Sequence, residues 1–224
     1  MTDPASTDDK AGADRHFDRD EVRSRILDAA LGHVPFEGWT PATLALGARD
    51  AGFEAVTAIR VFPGGAVDAI RFWSERTDRQ TVEACSQAGF AQRRVREKIR
   101  FLVRTRLELV TAHKEAVRNA LGVLAVPTNG ALAAKLLART VDAIWYAAGD
   151  TATDFNWYTK RGLLAGVYGA TLLHWLEDRS PEHADTWGFL DRRLDEVLRF
   201  PRALAEVGNW LAPFVPAFMR PSRS

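Results

Sequence analysis

Apolar residues recur at intervals of three and four positions along most of the chain, which is the spacing of one face of an α-helix. The two-residue alternation of a half-buried strand is absent from the sequence. Prolines and glycines interrupt the helical pattern and divide it into segments. These segments predict helices over residues 20–34, 40–51 and 53–61, from residue 67 onward, and over 95–107, 113–126, 129–149, 154–175 and 181–197. The sequence therefore predicts an all-α protein.

The first three helices resemble the N-terminal half of the TetR regulator fold, which contains a helix-turn-helix. Thr40, followed by proline, predicts the start of the second helix, because threonine is a favourable N-cap and proline fits the first turn. A DNA-reading third helix needs cations for phosphates and polar side chains for bases. Residues 53–61 offer Glu54 and Arg60 among Ala, Val and Ile. We therefore predict a TetR-like helical bundle whose helix-turn-helix part, residues 21–65, is vestigial and does not bind DNA.

The overall charge is close to neutral, with 30 Lys and Arg against 29 Asp and Glu. Such a balance provides no global field to attract nucleic acid. At 224 residues the chain is long enough for one well-buried domain, which we assign to residues 21–200. The single cysteine, Cys85, excludes an internal disulfide. Residues 1–20 are acidic and lack an apolar signal-peptide core, so we expect them to form a disordered tail.

One dense cationic segment coincides with the helix predicted over residues 95–107. It contains Arg93, Arg94, Arg96, Lys98, Arg100, Arg104 and Arg106, with Glu97 as the opposing charge. Arg93, Arg100 and Arg104 share one side of the helix and could face lipid phosphates or an acidic protein. The alternative is a solvated face whose cations pair with acids nearby.

The sequence contains no pattern that is typical of a catalytic or metal site. The five histidines have no metal-ligand spacing, and no Glu-x-x-His pair occurs. Gly64 and Gly65 lack the lysine and hydroxyl of a phosphate loop, and a Gly-x-Ser-x-Gly elbow is missing. An enzyme acting on a lipid would need an ionisable cluster facing its cavity, and the sequence indicates none. We therefore predict that the protein is not an enzyme.

Residues 201–219 predict an amphipathic helix that lies in a membrane surface. Its Trp and Phe side chains stand beside cations, as in interfacial helices. Pro213 and Pro216 would bend or break this helix, and docking on the protein's own core is the alternative. Residues 220–224 complete the chain as a tail. The membrane-binding face is predicted to consist of Leu204, Val207, Trp210, Leu211, Phe214, Val215, Phe218 and Met219.

Two motifs, Val141–Asp150 and Thr153–Arg161, resemble the signature of a family of lipid-binding accessory proteins of ubiquinone (coenzyme Q) biosynthesis, the ninth of the Coq series. Further similarity at His33–Trp39 and Asp185–Leu190 extends the resemblance over roughly residues 23–199. The resemblance implies a TetR-like homodimer that takes an isoprenoid quinone intermediate from the membrane and presents it to the demethoxyubiquinone hydroxylase. The protein would have no cofactor other than a bound isoprenoid lipid or ubiquinone precursor.

The resemblance also implies an exposed patch that contacts the hydroxylase. Some relatives carry Met where this chain has Ile144. The patch residues here would be Asp142, Ile144, Trp145, Asp154, Trp157, Tyr158 and Arg161.

We expect the two most apolar helices to line a lipid cavity, because such helices seldom face only each other. Some of their residues must be ordinary core. The candidates are Leu136, Leu137, Val141, Leu163, Leu164, Val167, Tyr168 and Leu172.

The expected partners are the hydroxylase, quinone intermediates, phospholipid and a second copy of the chain, which the TetR-like fold would contact through the helices containing Trp175 and Trp187. We expect a cytoplasmic protein peripherally associated with the inner membrane of a bacterium. The alternative is a TetR-like transcription regulator with a lipid effector, whose binding to DNA would weaken with salt.

Overall fold

The computed structural model describes residues 18–87, 89–149 and 155–199, with side chains at all of these positions except 155–159, 198 and 199. The described residues form ten α-helices and no strands, which confirms the predicted all-α class. Short 3₁₀ turns follow α5 and precede α7, α8 and α10. The helices are α1 (Arg19–Leu31), α2 (Val34–Glu37), α3 (Pro41–Asp50), α4 (Ala55–Val61), α5 (Gly65–Glu83), α6 (Val95–Glu108), α7 (Lys114–Leu124), α8 (Gly130–Ala148), α9 (Phe155–Glu177) and α10 (Ala184–Arg199).

Helices α1, α3 and α4 form the helix-turn-helix part. Thr40 caps α3 as predicted, because its hydroxyl accepts a hydrogen bond from the Thr43 N–H at 3.1 Å. Helices α1 and α3 approach so closely that a Cβ at Gly47 would lie 2.6 Å from the Cβ of Ala30. Only glycine therefore allows this approach, which fixes how α3 and α4 are held against α1.

The prediction that Val34 continues the first helix is wrong. Helix α1 ends at Leu31, and Val34 begins the separate four-residue α2, in which Pro35 occupies the first turn. Proline is tolerated there because the first N–H groups of a helix have no partner inside it. Val34 is nevertheless buried, and its carbonyl accepts a hydrogen bond from Asn119 Nδ2 of α7 at 3.0 Å. Helix α2 thereby joins the helix-turn-helix part to α7.

Helices α5, α6, α8, α9 and α10 surround the main hydrophobic core. Trp175 of α9, Leu102 of α6 and Leu190 of α10 are all fully buried. One buried cluster runs without a break from Ile26 of α1 to Leu194 of α10. The helix-turn-helix part and the larger bundle therefore share a core.

The cationic segment on α6 is paired mainly with acids nearby, as the second interpretation of the sequence expected. Arg96 Nε donates to Asp195 of α10 at 2.8 Å, and Arg100 Nε donates to Asp191 at 2.6 Å. These pairs connect α6 to α10 at positions that are between one-third and one-half exposed. Arg106 is also paired, with Asp78, but it is buried in the bundle and does not belong to a solvated face.

Within the described residues, no single helix is long and apolar enough to cross a membrane. The pair Thr111–Leu124 and Pro127–Ala148 meets that test only when taken together, and its two parts are bent by 96°. The predicted membrane-binding residues, Leu204 to Met219, lie outside the described residues, as do nearly all of the predicted N-terminal tail and residues 220–224.

Candidate functional site

A cavity of about 410 Å³ lies among helices α5 to α9. This volume falls within the range of about 300–1,000 Å³ that is usual for small-molecule sites. Most of its wall is apolar. The apolar side chains of its helices come from α5, α7, α8 and α9, and include Ile70, Trp73, Val117, Leu121, Leu136 and Leu172.

The cavity extends from the interior to the surface. At its inner end, Arg106 and Tyr168 are buried. At its outer end, Ala134 of α8 is exposed and Leu173 of α9 is 61% exposed. The opening therefore lies between α8 and α9.

Four of the eight residues predicted to bind lipid line this cavity, namely Leu136, Leu137, Tyr168 and Leu172. The other four do not. Val141, Leu164 and Val167 are buried in the core, and Leu163 is half-buried outside the cavity. The reason is the orientation of α9 about its own axis, which turns the face that carries Tyr168, Leu172 and Leu173 toward the cavity. Hydrophobicity alone could not separate this face from the core face.

A polar cluster forms part of the inner wall. Arg106 of α6 donates three hydrogen bonds: from Nε to Asp78 Oδ1 at 2.8 Å, from Nη1 to the Tyr168 hydroxyl at 2.5 Å, and from Nη2 to Ser74 Oγ at 3.1 Å. Thr140 of α8 also donates to Asp78 Oδ1, at 3.0 Å. Four of these five residues line the cavity, and Asp78 lies behind them. We call these five residues the Arg106 cluster.

Burial and charge fix the protonation states of this cluster. Burial alone would lower the pKa of Arg106, but the electrostatic interactions with Tyr168 and Asp78 outweigh it, and the pKa of the guanidinium is raised. Burial also raises the pKa of the Tyr168 hydroxyl. Arg106 therefore stays cationic, and Tyr168 stays protonated and able to donate a hydrogen bond.

The prediction that no ionisable cluster faces the cavity is wrong. The signal was present in the sequence, because Arg106 stands three and four positions after Val103 and Leu102, on the apolar stripe of α6. Asp78 likewise lies on the buried side of α5, between Thr77 and Thr81. A charge on a buried stripe indicates a partner on a neighbouring helix, but the sequence does not say which one. Within the described residues, no group of His, Cys, Asp or Glu is arranged to hold a metal ion.

The predicted partner-binding patch is only partly exposed. Ile144 is 1% exposed and Trp145 is 6% exposed, so the structure contradicts their assignment to an exposed patch. Both side chains face the core, and Trp145 Nε1 donates to the Lys160 carbonyl at 3.2 Å, which ties α8 to α9. Asp142 and Arg161 form an ion pair between the same two helices, and Asp142 is about half-exposed.

The rest of this patch falls at the start of α9. Trp157 and Tyr158 lie in the first turn of that helix, as predicted, but their side chains and the whole of Asp154 lie outside the described residues. An exposed residue that the sequence prediction omitted is Tyr146 of α8, which is 78% exposed. It stands directly after the buried Trp145, so helical periodicity could have assigned it to the outer face.

Curated relatives resemble the chain over most of its length. The rat protein named "Ubiquinone biosynthesis protein COQ9, mitochondrial" is 34% identical over 211 residues, which cover 91% of this chain and 68% of the relative. The Xenopus laevis COQ9-B protein is 31% identical over 215 residues, covering 92% of this chain and 73% of the relative. The chain belongs to the COQ9 family. Its resemblance to these proteins, which was inferred above from two motifs, is thereby confirmed.

The COQ9 assignment is supported along the chain. Residues 130–201 match the COQ9 family model, and residues 19–49 match the model of the N-terminal domain of ubiquinone biosynthesis protein COQ9. The Drosophila melanogaster COQ9 protein is 36% identical over 203 residues, which cover 89% of this chain. The alignment spans 62% of the length of that relative.

The fold of this COQ9-family chain is shared with a regulator. A solved TetR transcriptional regulator from Nitrosomonas europaea aligns with a TM-score of 0.67 and 20% identity, covering 80% of this chain and 98% of the other. This likeness confirms the predicted TetR-like fold and concerns the fold alone.

Proposed function

We propose that this COQ9-family chain is a non-catalytic carrier that binds an isoprenoid quinone intermediate of ubiquinone biosynthesis in the cavity among α5 to α9. The observation that carries the proposal is the apolar cavity of about 410 Å³ that reaches the surface at Leu173. Burial of a prenyl chain is favourable by about 0.8 kcal/mol for each CH₂ removed from water. An apolar cavity with a surface opening supports the transfer of such a lipid.

The quinone intermediate would be presented to the demethoxyubiquinone hydroxylase, which performs the chemistry. The outer surface of α8 and the start of α9 are the proposed docking region, where Tyr146 is exposed, Asp142 is half-exposed and Arg161, whose side chain is 16% exposed, pairs with Asp142. Tyrosine and arginine are both common among residues that dominate binding energy at interfaces. The opening of the cavity involves the same two helices, and Ala134 at the opening lies about 18 Å along α8 from Tyr146.

The segment at residues 201–219 is proposed to bind phospholipid at a membrane surface, which in a bacterium would be the inner membrane. It directly follows α10, which the Arg96–Asp195 and Arg100–Asp191 pairs hold against α6. A chain ending at residue 200 should therefore keep its folded cavity and take up less lipid from vesicles than the full chain.

The carrier is proposed to be a homodimer that uses α9 and α10, as the TetR-like fold implies. Gly162 and Gly166 are both exposed on α9, and an added Cβ at either one would meet no neighbouring atom within 4 Å. Small residues one helical turn apart allow another helix to approach closely. The N-terminal half of this α9 face supports contact with a second copy of the chain, and Leu173 at the cavity opening lies about two turns further along the same face.

Native lipid extraction tests the carrier proposal. The wild-type chain, Gly169→Leu and Gly122→Leu would be purified without detergent from a ubiquinone-producing bacterium, and their lipids identified by mass spectrometry. Gly169 lines the cavity and has room for a Cβ, so a leucine there should fill it. Gly122 is exposed on α7, also has room, and does not line the cavity.

Wild type and Gly122→Leu should carry an isoprenoid quinone or precursor in similar amounts, while Gly169→Leu should lose most of it. Equal lipid in all three proteins would place the lipid elsewhere and contradict the proposal. Lipid-free wild-type protein that retains DNA would instead support the regulator function.

A further inference from the structure

The Arg106 cluster has hydrogen-bonding capacity that the described residues do not use. A guanidinium has five N–H donors, and Arg106 uses three of them on Asp78, Tyr168 and Ser74. One N–H on each Nη atom is left over. The hydroxyls of Tyr168 and Ser74 each accept a bond from Arg106, so their own protons also remain available. Arg106, Tyr168 and Ser74 all line the cavity, which makes this part of its wall rich in donors.

An incomplete acceptor lies behind these donors. Asp78 Oδ1 accepts bonds from Arg106 and Thr140, whereas Oδ2 is buried and has no hydrogen-bond partner among the described residues. Buried polar atoms are nearly always paired, and an exception indicates a missing partner. Asp78 does not line the cavity, so the open positions that a ligand could reach are the N–H and O–H donors of Arg106, Tyr168 and Ser74.

The charge of the cluster favours a neutral ligand over an anionic one. The Arg106 cation is balanced by the Asp78 carboxylate, to which its Nε is bonded at 2.8 Å. A second carboxylate or a phosphate would leave the buried site with a net negative charge, which is costly away from water. A neutral acceptor, such as a carbonyl, methoxy or phenolic oxygen, can use the free N–H and O–H groups without that cost.

The dimensions suit a ring with an apolar substituent. A cavity of about 150 Å³ is known to hold a benzene molecule, and the cavity here measures about 410 Å³. It therefore has room for a substituted six-membered ring and a short length of chain. The remainder of a longer chain would leave where Leu173, which is 61% exposed, lines the opening.

We propose that Arg106, Tyr168 and Ser74 recognise the oxygen substituents of a neutral ring headgroup at the inner end of the cavity, with the attached apolar chain directed outward past Leu173. This inference rests on the proposed carrier function, because it assumes that the cavity holds the lipid. Beyond the carrier function, it specifies which end of the lipid points inward, and it proposes that Arg106, Tyr168 and Ser74 determine which headgroups bind. Asp78 and Thr140 are positioning residues that hold Arg106 and balance its charge.

Calorimetric titration with three matched probes tests the proposal. The probes are a decyl-substituted dimethoxybenzoquinone, decylbenzene and decanoate, which share a chain and differ in the headgroup. Tyr168→Phe and Ser74→Ala each remove a hydroxyl and leave the shape of the wall nearly unchanged. Thr171→Val is the matched control, since the Thr171 hydroxyl is buried on α9, donates to the Val167 carbonyl of its own helix, and is not part of the cavity wall.

The wild-type protein should bind the quinone more tightly than decylbenzene or decanoate. Tyr168→Phe and Ser74→Ala should each weaken quinone binding about fivefold to tenfold, the value of one hydrogen bond, and leave decylbenzene binding unchanged. Thr171→Val should change neither. The double variant Arg106→Met with Asp78→Leu removes both charges together, which avoids stranding one of them, and should lose the preference for the quinone.

Different failures have different meanings. Equal binding of quinone and decylbenzene by the wild type would overturn headgroup recognition and leave the carrier function intact. Equal losses for both probes in Tyr168→Phe would point to a change in shape and would also overturn it. Tight binding of decanoate that is lost in the double variant Arg106→Met with Asp78→Leu would indicate that the cluster recognises an acidic headgroup, and would overturn the proposal of a neutral ring. If no probe binds the wild-type protein, the carrier function itself fails.

Discussion

At the scale of single residues, the buried carboxylate of Asp178 organises the turn between α9 and α10. Its oxygens accept hydrogen bonds from the Ser180 N–H at 2.7 Å, from the Thr186 N–H at 2.9 Å and from the Thr186 hydroxyl. Burial alone would raise the pKa of Asp178, but these hydrogen bonds outweigh it and hold the pKa well below its usual range. The charge on Asp178 therefore stabilises the position of α10.

Because the pKa of Asp178 is depressed in the folded chain, the unfolded chain takes up its proton at higher pH. The stabilisation is fully present above the unfolded value of about 3.9 and is lost as the pH falls below it. We expect Asp178→Asn to lower the free energy of unfolding by about 2 kcal/mol at neutral pH. Urea denaturation at neutral pH and at a pH below the unfolded pKa would measure the difference in unfolding free energy between the wild type and Asp178→Asn. This difference should be smaller at the lower pH. The exposed Asp185→Asn is the control, and an equal loss in both variants would contradict the role of Asp178.

At the scale of helices, the contact between α1 and α3 depends on Gly47. The atoms nearest to an added Cβ include the Ala30 backbone nitrogen and the Ile26 carbonyl, each at 2.7 Å. Backbone atoms cannot move aside as a flexible side chain can, so α3 would have to shift away from α1. The helix-turn-helix part would shift with it, because α4 packs on α3.

We expect Gly47→Ala to destabilise the protein by about 1–3 kcal/mol, as overpacking of a tight core usually does. Gly122→Ala is the matched comparison. It lies on an exposed helical face with open space around it, and there the higher helix propensity of alanine should stabilise by about 1 kcal/mol. Thermal unfolding of the two variants should therefore give shifts of opposite sign. If Gly47→Ala were instead more stable than the wild type, α1 and α3 would have to lie further apart than the 2.6 Å Cβ distance at Gly47 requires.

The positions of most helices could be predicted from the sequence, whereas the side of each helix that faces the core could not. Thr40 and Gly149 marked helix ends correctly, because capping depends on residues next to each other in the chain. The burial of Ile144 and Trp145 depends on which neighbours surround α8, and the charged residues of that helix, such as Asp142, do not by themselves show which side faces the core. The Arg106 cluster joins residues 28 to 62 positions apart, so only the folded chain brings them together.

At the scale of the whole molecule, a TetR-like frame supports a protein of ubiquinone biosynthesis. The outer face of α4, where a regulator would read DNA, exposes Ile59 at 68% and Val56 at 40%. Neither side chain carries a charge for phosphate, and Arg60 is the one exposed cation of α4, so this helix provides little affinity for a DNA backbone. Under the proposed function, the frame holds the helices around the cavity.

The proposed dimer makes a prediction at the same scale. Gly166→Glu adds a charged side chain to the exposed glycine face of α9, and a charge buried against a second copy without a partner is costly. We expect sedimentation to show dimers for the wild type and monomers for this variant. Gly122→Glu, on the exposed face of α7, should remain dimeric. Dimers in both variants would assign the interface to another surface.

The surface opening of the cavity has a consequence for species with different quinones. A protein that encloses a ring and only the first carbons of its chain cannot measure how many isoprene units follow. Tail length would then be set by the bilayer and by the enzymes that make the chain, and the carrier would accept every homologue with the same ring. Under the proposed function, one such protein could replace another between organisms whose ubiquinones differ only in the number of units.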